Sequence, residues 1–290
     1  MELLQTTIVV GVTIGLVYAL SGAGLVVIYR TSGYVSFAQG DIAAVALFFG
    51  LWLYRSGLPY PVVAVAVVVM GGLVGGLIGG LVVVPMERFG LISAALATVA
   101  VSILIQGVEN VTVGAEQRPF PSAGDDVALH LGAVGVSRSV LVSAIVCVVV
   151  FALLGLAFSR TRTGVAMRAV NDNRTAAEIM GIPAARLRRL SWVLAGALAG
   201  IAGLFVAAAY GLSPTSVTVL LVYSFAAIVV GGFESIVGAL VAGIVIGVGS
   251  TLAAAYLSQN LVNTVVLVVL VAVLLVRPHG LFGRRPLLRV

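Results

Sequence analysis

The side chains able to do chemistry in this 290-residue sequence are few, and the main fact about them is an absence. There are sixteen basic residues, all arginine, and no lysine. A phosphate-binding P-loop needs its lysine, so ATP hydrolysis by that route is excluded, as is a lysine Schiff base. The lone cysteine, Cys147, sits inside an apolar run. Internal disulfides and multi-cysteine metal sites are therefore excluded. The two histidines, His130 and His279, lie far apart in sequence and outside the apolar segments, a weak basis for a metal site. Without paired carboxylates in the apolar runs, general acid–base machinery is nearly absent. No catalytic residue, metal or cofactor is expected.

What remains is polar chemistry inside apolar segments, which is costly and points to function by default. The candidates are Gln106, Glu109 and Asn110 near the end of one apolar run, and Asn263 in the last. Glu109 and Asn110 fall close to the expected outer surface, where solvation is the simpler expectation. A second group lies in Thr31–Asp41, reading TSGYVSFAQGD. Ser36 and Gln39 have capping-box spacing, and Asp41 falls in the first turns, where the helix dipole favours an acid. A helix is expected to start near Phe37. Two readings stay open: a capped helix at the membrane surface, or a broken element lining a cavity, for which Gly33 and Gly40 supply backbone freedom.

A third constellation is the stretch Arg160–Pro183, RTRTGVAMRAVNDNRTAAEIMGIP. A helix fits from about Arg174 to Met180. Asn171, Asp172 and Asn173 offer N-caps, Gly181 suits the position after the helix, and Pro183 is a stop. So short a helix is stable only when something packs on it. Ala176, Ala177 and Met180 leave a small apolar patch, either for a docking partner or for the bilayer or the chain's own bundle.

The elements that must position these residues follow from composition. Charged residues make up 9% of the sequence and hydrophobic residues 61%, against about 25% charged in soluble domains. Lipid must therefore be the solvent for much of the surface. Spanning helices need about 20 mostly apolar residues. Nine apolar segments are found: Thr6–Tyr29, Ser36–Tyr54, Pro61–Val84, Leu91–Val113, Ser139–Phe158, Leu190–Tyr210, Val217–Val230, Ile236–Leu257 and Leu261–Val276. The expected fold is an all-α polytopic transmembrane bundle forming one domain over residues 1–290, with eight to ten spans. The seventh segment is short, as a broken or half-helix would be. Met1–Thr7 carries Glu2 and no cation, so the first run is expected to be a retained helix.

Cytoplasmic loops collect arginine. Placing the N-terminus outside and alternating puts Arg30, Arg88, the arginines of 160–189, and Arg277, Arg284, Arg285 and Arg289 inside. Only Arg55, Arg118 and Arg138 are left outside. The net charge of +6 thus reflects topology, and no nucleic-acid partner is expected. Residues 160–189 form the one sizeable cytoplasmic loop. Small residues recur every fourth position: Gly71, Gly75, Gly79; Gly72, Gly76, Gly80; Gly11, Gly15, Ala19, Ala23; Gly196, Gly200; and Gly243, Gly247. This spacing lets helices approach closely in lipid.

Four ordered stretches resemble the permease subunits of branched-chain amino-acid ABC importers. They are Gly15–Leu20 (GLVYAL) with Val35–Asp41, Gly164–Val170 with Ala176–Ile182, Leu194–Gly203 (LAGALAGIAG), and Arg277–Gly283 (RPHGLFG). The length resembles the shorter, H-type permease. The resemblance implies a permease without catalysis of its own in the bacterial inner membrane. It implies pairing with a second related permease chain or a second copy, two cytosolic ATPase subunits and an extracytoplasmic solute-binding protein. Gly164, Arg168, Asp172, Ala176, Ala177, Glu178 and Gly181 then belong to an ATPase-coupling loop. Tyr18, Ser36, Gln39, Asp41, Gln106, Glu109 and Asn110 are candidates for the translocation path. Cargo in this family extends to urea, amides and small carboxylates. Relatives commonly carry Gly-Gly-x-Gly-Ser where this chain has Gly231–Ser235 with Glu234 at the glycine, unfavourable if that position needs φ > 0. Gln39 stands where many relatives have histidine. An ion-coupled secondary transporter is the competing class; it needs mid-membrane carboxylates, for which Glu109 is the candidate.

Overall fold

A computed structural model describes residues 2–114, 116–124, 126–131, 134–258, 261–277 and 280–283. Asp125, His279 and the tail arginines Arg284, Arg285 and Arg289 lie outside the described residues.

Each of the nine apolar segments is carried on a helix. Among the described residues, six are long and apolar enough to cross a membrane. They comprise α1 (Glu2–Ser32), α3 (Tyr60–Leu77) with its continuation to Phe89, α5 (Leu91–Thr112), α6 (Arg138–Arg160), α9 (Ala184–Tyr210) and α11 (Ile236–Tyr256). The three shorter ones are α2 (Gln39–Arg55), α10 (Pro214–Gly231) and α12 (Val262–Val276). The seventh segment is not broken: α10 runs 18 residues without interruption, about 27 Å at helical rise, because Pro214 pre-sets the first helical turn. The irregular backbone lies elsewhere. A π-helical stretch, Ile78–Val83, continues α3, and α4 (Val84–Met86) and a 3-10 turn (Glu87–Phe89) follow it.

Two helices form the centre. The apolar window of α1 is 72% buried and that of α9 61%, against 17% for α6 and 22% for α5. The outer helices turn large apolar side chains outward, among them Ile92, Ile103, Val111 and Leu153, as lipid-facing surfaces do. The small-residue registers pair with one another. A Cβ on Gly15 would fall 2.6 Å from Gly243 O, and one on Gly247 2.3 Å from Gly15 Cα, locking α1 to α11. Gly71 and Gly196 exclude each other's Cβ in the same way, locking α3 to α9. Such backbone contact replaces the hydrophobic drive that lipid lacks.

The helix ends sort into two sets. At one end the Arg30 guanidinium bonds Glu234 O and lies over the Phe158 ring, while Tyr34 and Arg188 both reach Glu87. Residues Arg160–Pro183 sit there. The connection expected to hold one helix holds two, α7 (Arg162–Asp172) and α8 (Arg174–Ile179). At the opposite end Gln117 bonds Tyr210 O and Arg118 pairs with Leu212. The long connection at that end contains a hairpin, β1 (Val127–Leu131) antiparallel to β2 (Val134–Ser137), closed by an Arg138–Asp126 ion pair of 2.6 Å. Arg55, Arg118 and Arg138 fall at this second end; the other arginines on described backbone fall at the first.

Candidate functional site

The connecting helices at the arginine-rich end are built as their caps dictate. Thr161 Oγ1 accepts from Gly164 N at 3.0 Å, starting α7. Gly164 then presses on α6, where a Cβ would lie 2.3 Å from Ala157 O. Asn173 Oδ1 accepts from Ala176 N at 3.1 Å, starting α8. Gly181, at φ +82, ends it, with Gly181 N bonded to Glu178 O and Ile182 N to Ala177 O. These two bonds make a Schellman motif. Of the expected apolar patch, Ala177 turns inward and is buried, while Ala176 is exposed. Met180 and Ile179 are each 80% exposed, and Ile179 is the residue that pattern reading missed. Arg168, Asp172 and Glu178 are also exposed. Arg168 and Asp172 border a 590 Å³ cleft shared with Arg30 and Glu234.

The stretch Gly33–Ala38 is non-helical, with Tyr34, Ser36 and Ala38 buried and Gly33 and Phe37 exposed. The capping box does not form. The N-cap of α2 is Ala38, without a side-chain bond, and Ser36 Oγ is buried with no hydrogen-bond partner. Gln39 is diverted because its amide donates to Ala195 O at 2.9 Å. Phe37 N donates to Thr98 Oγ1 at 3.1 Å. Asp41 accepts from Gln106 Nε2 at 3.0 Å, and Ser102 Oγ lies 3.2 Å from the same amide. Glu109 is 5% exposed, neither carboxyl oxygen has a hydrogen-bond partner, and it interacts electrostatically with Asp41. The solvated Glu109 expected from sequence is therefore corrected. Two carboxyl groups 68 positions apart in sequence are brought together by α2 and α5. Asn110 is exposed, as expected, with its amide on Gln106 O.

A third feature joins residues that the sequence offered singly. A 390 Å³ cavity at the second end is lined by Tyr18, Tyr210, Tyr223, Gln117, Ser250 and Thr251 among apolar side chains, with no charged residue among the described residues of its wall. Tyr18 and Tyr223 stack at 4.7 Å. Tyr223 OH donates to Asn263 Oδ1 at 2.7 Å. Of the seven path candidates only Tyr18 lines it. The signal for Tyr210 and Tyr223 was a hydroxyl within an apolar run, where an unpaired polar group is costly.

The turn with Glu234 is also settled. No described non-glycine residue has positive φ, and in this turn that conformation falls on Gly232, at φ +103. Glu234 contributes its carbonyl to Arg30.

A model of the family described as branched-chain amino acid transport system / permease component matches residues 7–275. The chain belongs to this permease family. It is 30% identical to a probable branched-chain amino acid transport permease protein LivH of Methanocaldococcus jannaschii, covering 91% of this chain and 88% of that protein. It is 28% identical to the high-affinity branched-chain amino acid transport system permease protein LivH of Escherichia coli K12, covering 94% of each. It is 26% identical to BraD, of the same description, of Pseudomonas aeruginosa, again covering 94% of each. A chain of PsaBC from Streptococcus pneumoniae, solved in complex with Fab, shares the fold. The TM-score is 0.51 with 13% identity, covering 95% of this permease and 91% of that chain.

Proposed function

We propose that this permease is the membrane subunit of an ATP-driven importer that moves branched-chain amino acids into the cytoplasm. ATP is hydrolysed on separate subunits, consistent with a chain that has no lysine for a P-loop. In this reading the helices cross the bacterial inner membrane nine times, the arginine-rich end faces the cytoplasm, and the N-terminus lies outside. Two cytosolic ATPase subunits dock on residues 160–189. An extracytoplasmic binding protein delivers solute to the cavity end, and a second permease chain or copy completes the path.

The observation that carries the reading is α8. Its capped end holds Ile179 and Met180 out at the arginine-rich end, an apolar pair that water alone does not favour. Gly164, Ala177 and Gly181 shape the connection; Arg168, Asp172, Ala176 and Glu178 supply its exposed face. The uncharged cavity fits a small solute with an apolar side chain and polar atoms that hydroxyls can bond. Uptake into proteoliposomes holding the permease, ATPase subunits and binding protein tests this directly. ATP-dependent uptake of labelled leucine, exceeding that of urea or a small carboxylate, is the expected result. Uptake only of urea, an amide or a carboxylate overturns the cargo assignment.

One observation favours a second reading. The buried Glu109 beside Asp41 is what an ion-coupled transporter needs. That reading requires uptake by the purified chain alone, driven by an ion gradient without ATP.

A further inference from the structure

We propose that Arg188, Glu87, Tyr34 and Gln39 are positioning residues that fasten the broken segment 33–38 to α9, so that displacement of the coupling connection moves the break and, through it, the cavity floor. The inference rests on the importer reading above.

α9 leaves the coupling connection directly after Pro183. Its first residues, Ala184 and Leu187, share one buried cluster with Met167 and Val170 of α7 and Ala177 of α8. The connection and the base of α9 therefore move as one packed body. Arg188, Trp192 and Ala195 follow at spacing that places them on a single helix face. Each holds something. The Arg188 Nε lies 2.8 Å from Glu87 Oε2, with both side chains only 6% exposed. Trp192 fills the gap over Gly79, where a Cβ would fall 2.1 Å from its ring. Ala195 O takes the Gln39 amide at 2.9 Å. Glu87 in turn accepts from Tyr34 OH at 3.0 Å. The break is thus fastened at both ends, at Tyr34 and at Gln39, to one face of the helix that emerges from the loop.

A buried ion pair is a poor way to gain stability, and its best-attested use is to fix register. Here it fixes a soft element. Gly33 has φ +79, and the residues that follow it to Ala38 are non-helical, the kind of stretch that absorbs backbone change in a switch. Phe37 in that stretch borders a groove with Tyr223 and Asn263, and Tyr223 stacks on Tyr18 at the cavity. A shift of the break therefore reaches the aromatic pair bounding the cavity.

The test uses the reconstituted complex and two readouts. The first is solute moved per ATP hydrolysed. The second is the spectrum of a spin label at Phe37→Cys in a Cys147→Ala background, with and without ATP. Tyr34→Phe keeps the ring and removes only the hydroxyl. The expected result is that it assembles and hydrolyses ATP like the parent. Solute moved per ATP falls about fivefold or more, the lower range of a coupling free energy, and the ATP-dependent change at the label is lost. Gln39→Met, at the second attachment, is expected to do the same and serves if Tyr34→Phe does not fold. Hydrolysis and transport falling in parallel, an unchanged ratio, a label that responds to ATP as before, or loss of fold in both variants would overturn the proposal. If the parent chain assembles with no ATPase, the importer reading falls and this inference with it. If the parent transports and only the ratio is unmoved, this inference alone falls.

Discussion

Tyr223, buried, and Asn263, exposed on α12, meet as donor and acceptor 2.7 Å apart, so the buried hydroxyl is satisfied. Asn263→Leu alone strands the buried Tyr223 hydroxyl and is expected to cost about 1–3 kcal/mol, whereas removing both partners by adding Tyr223→Phe is nearly neutral. Thermal unfolding of the two single variants and the double variant in detergent checks this; equal costs for all three would contradict it. Glu109 has the opposite standing. It is buried with no hydrogen-bond partner to lose, so Glu109→Gln, which keeps shape and removes the charge's burial cost, is expected to leave stability and ATP-driven uptake intact. Loss of uptake with stability retained would favour the ion-coupled reading. At this scale the sequence was half legible. Asp41, Gln106 and Glu109 could be singled out as polar groups in apolar runs, but their meeting depends on two helices that place residues 65 positions apart together, and no local pattern encodes it. Gln39 misled for a related reason: its spacing from Ser36 suits a cap, and a carbonyl 156 positions away takes its amide instead.

Among elements, the glycine registers carry the strongest prediction. Gly243→Leu would drive a side chain into Ala19 and Gly15 of α1. Overpacking commonly costs about 1–3 kcal/mol, and backbone has less room to yield than side chains do. Gly107→Ala, on α5 with nothing within 4 Å, is the control and is expected to gain up to about 1 kcal/mol from helix propensity. Melting temperatures of the two variants should move in opposite directions. α8 gives a milder test. Asn173→Ala removes its N-cap bond, worth about 1 kcal/mol, and should raise protease sensitivity at the connection without unfolding the bundle. The i, i+4 spacing announced that glycines pack, and the N-cap and Gly181 announced α8, because these signals are local. The fusion of α10 into one uninterrupted helix, the second connecting helix α7 and the hairpin at residues 127–137 were not announced. Tertiary contacts decide such elements more than composition does.

The whole molecule joins a lipid-facing bundle, an arginine-rich end with an exposed apolar pair, and a tyrosine-lined cavity at the other end. Single cysteines placed at Arg55 and at Arg162 in a Cys147→Ala background should react with membrane-impermeant reagent from outside and from inside, respectively. The reverse pattern would overturn the orientation. Bundle character and the segregation of arginine were legible from composition, since few charges and their placement suffice. The cavity was not, because its wall draws on α1, α9, α10, α11 and α12 at once. The most direct measurement of the central claim is capture of ATPase subunits by the purified permease, compared with Ile179→Asp plus Met180→Asp. Both residues are exposed, so the variant should keep its helical content and melting temperature. The parent chain should retain the ATPases and the variant should lose them. Equal retention by both, or by neither, would contradict it.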